Sequence, residues 1–353
     1  MPKTLYIHAG FPKSGTTALQ AALRENQDLL LSEGIYYPGS TGNAHHRLVA
    51  GLVNRRVGWG KVRNNLDQWN GFVENLSTFD APRVLISSEF LTAAKYEEIK
   101  KIKSSFSDCN IKIIFTLRPL ADMVPSYYQQ SLKKGSVLTF LEWINSKFFL
   151  PSGNLHENPK LLNHPRVLKN WVKVFESENV YLLISDSSDK DLLYQNFAKA
   201  LDIPDLPPAK NARLNRSLTV RESEILRLIN VSVKDKWDWP SYNRIVRERF
   251  VKRLTNTPST KSESRHSIPV FMIDHIEKVA KQAIVEIEKL GLVVYGDLNS
   301  IARADAKIHH SYETDLKIAK DESQIHLKQL NKEYKSERKI SKRIYARVKR
   351  VIK

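Results

Sequence analysis

The sequence predicts a three-layer α/β fold, in which helices cover both faces of a central parallel sheet. The first observation is a set of short apolar runs with strand character, at residues 4–8, 83–88, 111–117 and 180–184. The second is the helical periodicity of the stretches between them, at residues 16–31, 95–106, 165–175 and 191–201. Strands that alternate with helices in this way are typical of parallel sheets with right-handed crossovers.

The composition also predicts a boundary late in the chain. A length of 353 residues is enough for one large α/β domain and an appendage. After about residue 298 the apolar periodicity weakens and basic residues outnumber acidic ones. We therefore predict a domain over residues 1–298 and a basic helical extension over residues 299–353.

The loop that follows the first strand carries several groups that bind anions. It runs from Gly10 to Gly15, and these two glycines allow backbone amides to approach a ligand closely. Thr16 and Thr17 add hydroxyls where the next helix begins, and a helix start already favours negative charge. Lys13 adds a cation within the loop. The segment therefore predicts a phosphate or sulfate site, the alternative being a strand-to-helix turn without a ligand.

The position of the lysine decides which kind of anion loop this is. A nucleotide-hydrolysing P-loop has the pattern G-x-x-x-x-G-K-[ST]. Here Thr16 stands where that pattern has lysine, and Lys13 lies inside the loop instead. The resulting string P-K-S-G-T-T, at residues 12–17, resembles the 5′-phosphosulfate loop of sulfotransferases that use 3′-phosphoadenosine 5′-phosphosulfate (PAPS).

Two candidates for proton transfer come from other segments. Glu89 directly follows the strand at residues 83–88, and ligands of parallel sheets gather at the carboxyl ends of strands. The alternative for Glu89 is a favourable interaction with the dipole of the next helix. The pair His45 and His46 follows a loop, and His46 is the second candidate for the base. A surface or capping histidine is the alternative there.

A second anion-binding segment follows the strand at residues 111–117. Arg118 ends this strand, Asp122 falls in the first turn of the next helix, and Ser126 lies eight residues after the arginine. An arginine fork and a hydroxyl are suited to clamp a phosphate. The string R-P-x-x-D-x-x-x-S-Y-Y, at residues 118–128, resembles the 3′-phosphate-binding segment of the sulfotransferases.

Together the two motifs resemble the PAPS-dependent sulfotransferase family over residues 4–130, and only in architecture from there to about residue 298. The string Ser88-Glu89-Phe90 is similar to the glutamate of the carbohydrate or heparan-type branch rather than to the histidine of the cytosolic phenol-type branch. The chain departs from the cytosolic branch in having Ala18 where a tryptophan is usual, and it lacks an R-K-G-x-x-G loop near its end.

The resemblance implies a P-loop NTPase-like sulfotransferase fold and transfer of a sulfuryl group from PAPS to a hydroxyl of a saccharide or glycolipid. It implies that Lys13 and Glu89 are catalytic, with His46 in reserve as the base. The implied donor contacts are Lys13, Ser14, Gly15, Thr16, Thr17, Arg118 and Ser126. No metal is implied, because the P-loop lysine and magnesium pattern is absent. A kinase-like nucleotide-binding protein and a non-catalytic scaffold that binds polyanions remain alternatives.

Charge and composition indicate what the chain meets in the cell. The formal net charge is +18, which favours anionic partners, although no nucleic-acid-binding motif is found. The single cysteine excludes an internal disulfide framework. There is no run of 18 apolar residues, and the chain enters a strand without a signal peptide, so we expect a cytoplasmic location.

The last segment predicts contact with an anionic membrane surface. Residues 336–353 hold 8 basic residues and 1 acidic residue. Ile340, Ile344, Val348 and Val351 fall on one face of a helix. A basic amphipathic helix of this kind is typical of peripheral membrane binding, with a solvated helix as the alternative.

Overall fold

The computed structural model describes residues 2–39, 44–53, 66–157, 159–186, 189, 191–210, 216–258, 264–304 and 312–351. Its centre is a parallel sheet with the strand order β2-β3-β1-β4-β5-β6. The strands are β1 (Thr4–His8), β2 (Ile35–Tyr36), β3 (Arg83–Ser87), β4 (Asn110–Leu117), β5 (Val180–Ile184) and β6 (Val293–Tyr295). The predicted α/β class with a central parallel sheet is confirmed.

Contacts within the chain define two compact units. The sheet unit comprises residues 1–123, 154–214 and 268–306, and the helical unit comprises residues 124–153, 215–267 and 307–353. The helices of the sheet unit are α1 (Thr16–Glu25), α2 (Gln27–Ser32), α3 (Ala44–Ala50), α4 (Asp67–Asn75), α5 (Tyr96–Ser105), the start of α6 (Leu120–Lys133), α8 (His164–Phe175), α9 (Leu192–Leu201) and α13 (Ile273–Glu288). The helical unit holds the rest of α6, α7 (Phe140–Phe148), α10 (Val220–Val233), α11 (Trp239–Tyr242), a π-helix (Asn243–Phe250), α12 (Val251–Asn256) and α14 (Tyr312–Val351).

Neighbouring residues of β4 show that helices pack on both faces of the sheet. Ile114 belongs to a buried apolar cluster with α1, α2 and α9, whose members include Leu19, Leu23, Leu30, Leu85, Leu183 and Phe197. Phe115 points the other way and meets Trp171 of α8, with ring centroids 5.7 Å apart. Side chains alternate across a strand, so each face of β4 contributes to its own core. Full burial of one such large apolar side chain contributes about 1.5–3 kcal/mol.

The first predicted helix is two helices in the structure. α1 ends at Glu25 and α2 begins at Gln27, with Asn26 between them at φ −104° and ψ 28°. The side-chain amide of Asn26 donates through Nδ2 to the carbonyls of Ala22 at 2.9 Å and Pro207 at 2.8 Å. Asparagine side chains compete with the helix for backbone groups, which accounts for the break.

The helical unit is held by a buried asparagine and by the long last helix. Asn230 of α10 donates to the carbonyls of Leu132 and Ser136, each at 2.8 Å. α14 packs along α10 and ends at Val351. None of the described helices is both long and apolar enough to cross a membrane. The boundary at residue 298 stays a prediction.

Candidate anion site at the carboxyl ends of the strands

The strand order brings three of the predicted segments to one edge of the sheet unit. β1 lies between β3 and β4, so the carboxyl ends of these three strands are neighbours. The glycine loop follows β1, Glu89 follows β3 in a 3₁₀ turn, and Arg118 follows β4. In open α/β sheets this is the edge at which ligands bind.

Both glycines of the loop occupy places that no side chain can fill. Gly10 has φ 41°, and a Cβ there would lie 2.5 Å from Thr16 Cγ2 and 2.7 Å from His8 Nε2. Gly15 has φ 94°, and its Cβ would lie 2.7 Å from Leu193 Cδ2. The backbone therefore packs closely against neighbouring side chains at both ends of the loop, which with these positive φ angles favours glycine.

Lys13 lies between these glycines with a left-handed backbone of its own, at φ 74°. This conformation costs a non-glycine residue of the order of 1–3 kcal/mol and is concentrated at functional sites. The amides of Thr16 and Thr17 open α1 and precede its first intrahelical bond, from the Leu19 amide to the Gly15 carbonyl at 3.1 Å. Such amides have no acceptor within the helix and favour a negative charge.

Ser14 anchors the loop to the sheet. Its hydroxyl is fully buried and donates to the Phe11 carbonyl at 2.6 Å. Because that uses its single proton, the hydroxyl of Thr116, 2.5 Å away, donates to Ser14 Oγ. Directly after β5, the Ser185 hydroxyl donates to the Ser14 carbonyl at 3.3 Å. The hydroxyl that the sequence assigns to the donor thus lies inside the protein, where it fixes the loop on β4. Sequence reasoning missed Thr116 and Ser185, whose signal is a polar residue at the end of an apolar strand.

The two candidates for proton transfer lie together. His46 Nε2 is 3.3 Å from Glu89 Oε2, and the side chains are 18% and 24% exposed. His46 Nδ1 lies 2.8 Å from Ser88 Oγ, and the imidazole stacks on Phe90 with centroids 4.6 Å apart. In the neutral imidazole this fits one tautomer, in which the Ser88 hydroxyl donates to Nδ1 and Nε2–H donates to the carboxylate.

His45 has a different role from its neighbour. Its Nδ1 accepts from the Ser87 amide at 3.0 Å, and its Nε2–H donates to the Pro38 carbonyl at 2.6 Å. β2 pairs with β3 only at Arg83 and Val84, so among the described residues no strand pairs with Ser87 on that side. The imidazole takes the place of the missing strand. Burial lowers the pKa of His45 to about 4, which keeps the ring neutral.

Gln20 and His8 complete the site, and sequence reasoning missed both. Gln20 Nε2 lies 3.1 Å from Ser87 Oγ and 3.4 Å from Glu89 Oε2. His8 Nδ1 lies 2.7 Å from the same Ser87 hydroxyl, and burial lowers the pKa of His8 to about 3. The signal for Gln20 was an amide on the apolar face of α1, beside Leu19.

Arg118 is held at the end of β4 by the first turn of α6. Its Nη2 donates to the Asp122 carbonyl at 2.7 Å, and the Asp122 amide donates to the Pro119 carbonyl at 3.0 Å. This orients the guanidinium within the sheet unit. Ser126 lies further along α6, in the helical unit. That Ser126 and Arg118 contact the same phosphate stays a prediction from the sequence.

Comparisons with known proteins give one structural similarity. No family model matches the chain, and no curated protein matches its sequence. Among solved structures, the chain is similar to the crystal structure of a sulfotransferase from Alicyclobacillus acidocaldarius, with a TM-score of 0.41 and 14% sequence identity. The match covers 82% of this chain and 95% of that chain.

Proposed function

We propose that this protein transfers a sulfuryl group from PAPS to a hydroxyl of a saccharide or glycolipid. The proposal is carried by two neighbouring features: a lysine-bearing anion loop after β1, and the Glu89 carboxylate after β3. His46 of α3 pairs with this carboxylate, with His46 Nε2 3.3 Å from Glu89 Oε2. Transfer of a group from an anionic donor to a hydroxyl needs a site that binds the donor and a base that takes the hydroxyl proton.

The loop fits the 5′ end of PAPS, which supplies a sulfuryl group already activated on a phosphate. Gly10 and Gly15 keep the loop packed against the protein, because a Cβ at either residue would clash with a neighbouring side chain. In the proposal the amides of Thr16 and Thr17 hold the anion, and Lys13 stabilises the charge that develops on the bridging oxygen. Ser14 contributes by keeping the loop on β4. Positioning and charge stabilisation are the main sources of catalysis in comparable phosphoryl transfers.

Arg118 is the proposed contact for the 3′-phosphate. Its Nη2 is already held by the Asp122 carbonyl at 2.7 Å, so the planar group needs little further ordering to bind a phosphate. A 3′-phosphate distinguishes PAPS from ATP, so this arginine is proposed to give the site its nucleotide preference. Ser126 is proposed as a second contact on the strength of the sequence pattern alone.

Glu89 is the proposed general base. Its carboxylate takes the proton of the acceptor hydroxyl while the hydroxyl oxygen forms a bond to sulfur and the bond from sulfur to the bridging oxygen breaks. General base catalysis of this kind typically contributes about 10²–10⁴ in rate. His46 orients the carboxylate through Nε2. The order Ser88–His46–Glu89 does not make Ser88 a nucleophile, because that residue is only 1% exposed.

We also propose that the end of α14 binds an anionic membrane, where a lipid-linked acceptor would lie. Residues 336–353 contain one acidic residue, Glu337, which pairs with Arg244 at 2.8 Å and Arg249 at 3.0 Å in the helical unit. Residues 338–353 then carry 8 basic residues and no acidic one. Each basic residue near an anionic bilayer contributes about 1 kcal/mol. The side chains of residues 340–351, and residues 352–353, lie outside the part of the chain that the structure describes.

Vesicle sedimentation tests this membrane contact. We expect binding to phosphatidylcholine vesicles that contain phosphatidylserine, and weaker binding as salt increases. Replacing Lys342, Arg343, Arg347 and Lys349 with Gln should abolish it. The control replaces four exposed lysines of the sheet unit, Lys101, Lys169, Lys173 and Lys199. Equal binding of both variants would contradict the proposal.

Transfer of radioactive sulfate from labelled PAPS to a panel of polysaccharides and glycolipids tests the proposed reaction. We expect label on a saccharide acceptor with the wild-type protein and at least about a hundredfold less with Glu89→Gln. The matched control is Glu97→Gln, at a carboxylate 77% exposed on α5. Transfer only to simple phenols would overturn the saccharide assignment, and no transfer to any acceptor would overturn the proposed reaction.

A further inference from the structure

Gln20 is a buried amide at the centre of the candidate site. It is 6% exposed and lies one helical turn after Thr16, on the helix that opens at the anion loop. Its Nε2 lies 3.1 Å from Ser87 Oγ, 3.4 Å from the Ser87 carbonyl and 3.4 Å from Glu89 Oε2. An amide nitrogen has two protons, so one serves Ser87 and the other serves Glu89.

The two carboxylate oxygens of Glu89 are not equivalent in this arrangement. Oε2 accepts a hydrogen bond from Gln20 Nε2 of α1 at 3.4 Å and lies 3.3 Å from His46 Nε2 of α3. Among the described residues, no hydrogen bond reaches Oε1. The two donors come from different helices and meet at one oxygen, which limits rotation of the carboxylate. Oε1 is left to accept a proton.

On the side away from Glu89, Gln20 is linked through Ser87 to His8. Ser87 Oγ meets His8 Nδ1 at 2.7 Å, and His8 and Ser87 are register partners on β1 and β3. His8 is 1% exposed, and its Nε2 lies 2.7 Å from the position that a Cβ of Gly10 would take. Gln20 is therefore fixed on one side by two strands of the sheet and holds Glu89 on the other.

We infer that Gln20 is a positioning residue for the base: together with His46 it binds Oε2 of Glu89 and so presents Oε1 to the acceptor hydroxyl. This inference rests on the proposed function. A merely structural role for Gln20 makes a different prediction, since loss of a buried amide that only supports α1 would weaken donor binding and stability together with the rate.

Gln20→Met separates these two roles. Methionine is similar in length and apolar, so it removes both donors and keeps the packing. We expect kcat to fall about 10- to 100-fold, the range for losing a hydrogen bond to a charged group. The KM for PAPS and the Kd for 3′,5′-ADP should stay within about twofold of wild type. The control is Gln195→Met, at an exposed position of α9.

The decisive comparison uses the Glu89→Gln background. If Gln20 acts through Glu89, adding Gln20→Met to Glu89→Gln lowers the residual rate no further. Gln20→Glu, which keeps the shape but places a second carboxylate beside Glu89, should be slower than Gln20→Met. Additive losses in the double variant, or a KM for PAPS that rises in step with the loss of kcat, would overturn the inference.

A crystal structure of Gln20→Met gives a readout that does not depend on catalysis. We expect the Glu89 carboxylate to turn away from its 3.3 Å contact with His46. An unmoved carboxylate in that structure would overturn the inference. If the wild-type protein transfers no sulfuryl group, the proposed function fails. If the wild type is active and Gln20→Met has the same kcat, only this inference fails.

Discussion

His46 Nε2 lies 3.3 Å from Glu89 Oε2, and each residue reaches this contact from a different element of the sheet unit. His46 is carried by α3, and Glu89 follows β3. The imidazole is also bound at Nδ1 by Ser88 Oγ at 2.8 Å. Both ring nitrogens are thus engaged within the protein, which favours Glu89 as the base and His46 as its orienting partner.

The first prediction ranks these two residues. Glu89→Gln should lower kcat by about 10²–10⁴, because the base is lost. His46→Gln should lower it by only about 10-fold, because glutamine can still donate to the carboxylate. Steady-state kinetics on purified variants measures both. A His46→Gln protein slower than Glu89→Gln would reassign the base to His46.

The second prediction concerns the glycine cradle. Gly10→Ala and Gly15→Ala should each abolish measurable binding of 3′,5′-ADP, because the new Cβ would lie 2.5 Å and 2.7 Å from its nearest neighbours and φ is positive at both residues. Gly71→Ala is the matched control, since no atom lies within 4 Å of its Cβ. Gly71 lies inside α4, so alanine should stabilise the protein by up to about 1 kcal/mol. Calorimetric titration and thermal unfolding report the two effects. Normal binding by either loop variant would show that the cradle is not the site.

The third prediction concerns the anchor of the loop. Ser14→Ala and Thr116→Val should each cost about 1–3 kcal/mol of unfolding free energy, because each leaves a buried hydroxyl without its partner at 2.5 Å. In the double variant we expect a coupling of about 0.5–3 kcal/mol, measured by urea unfolding. Ser104→Ala, at an exposed position of α5, is the control. Strictly additive losses would mean that the two hydroxyls do not stabilise the loop together.

The fourth prediction follows from three buried histidines. Burial lowers the pKa of His8 to about 3 and the pKa values of His45 and His164 to about 4 each. The unfolded chain therefore binds more protons than the folded one below the ordinary histidine value of about 6.5, and stability falls as the pH falls. Each histidine contributes a loss approaching about 1.4 kcal/mol per pH unit once the pH is well below 6.5.

Urea unfolding followed by tryptophan fluorescence between pH 7 and pH 5 measures this loss. Most carboxylates stay ionised over that range, so the histidines dominate the change. We expect the midpoint to fall steadily across it. A midpoint that does not change would contradict the burial of neutral imidazoles at these positions.

Local patterns predicted the sheet well and its edges poorly. The strands Thr4–His8 and Val180–Ile184 have the predicted bounds because their apolar runs end at polar residues. The edge strand Val293–Tyr295 was missed, since three residues are too short to show a period.

At the site, sequence order alone could not separate His45 from His46. They are neighbours in the chain, but their roles differ. The pairing of β2 with β3 stops at Val84, so the backbone amide of Ser87 donates to His45 instead of to a strand. The roles of Ser14 and Gln20 depend in the same way on Thr116 and Ser87, which are distant in the chain and close only in the folded protein.

Calorimetric binding of 3′,5′-ADP, compared with ATP and magnesium, tests the central claim most directly. We predict tight binding of 3′,5′-ADP without magnesium, weakened about 10- to 100-fold by Arg118→Ala because a charged hydrogen bond to the 3′-phosphate is lost. Arg166→Ala, at an exposed arginine of α8, should bind like wild type. A preference for ATP with magnesium, or no binding of 3′,5′-ADP at all, would contradict the assignment of this site to PAPS.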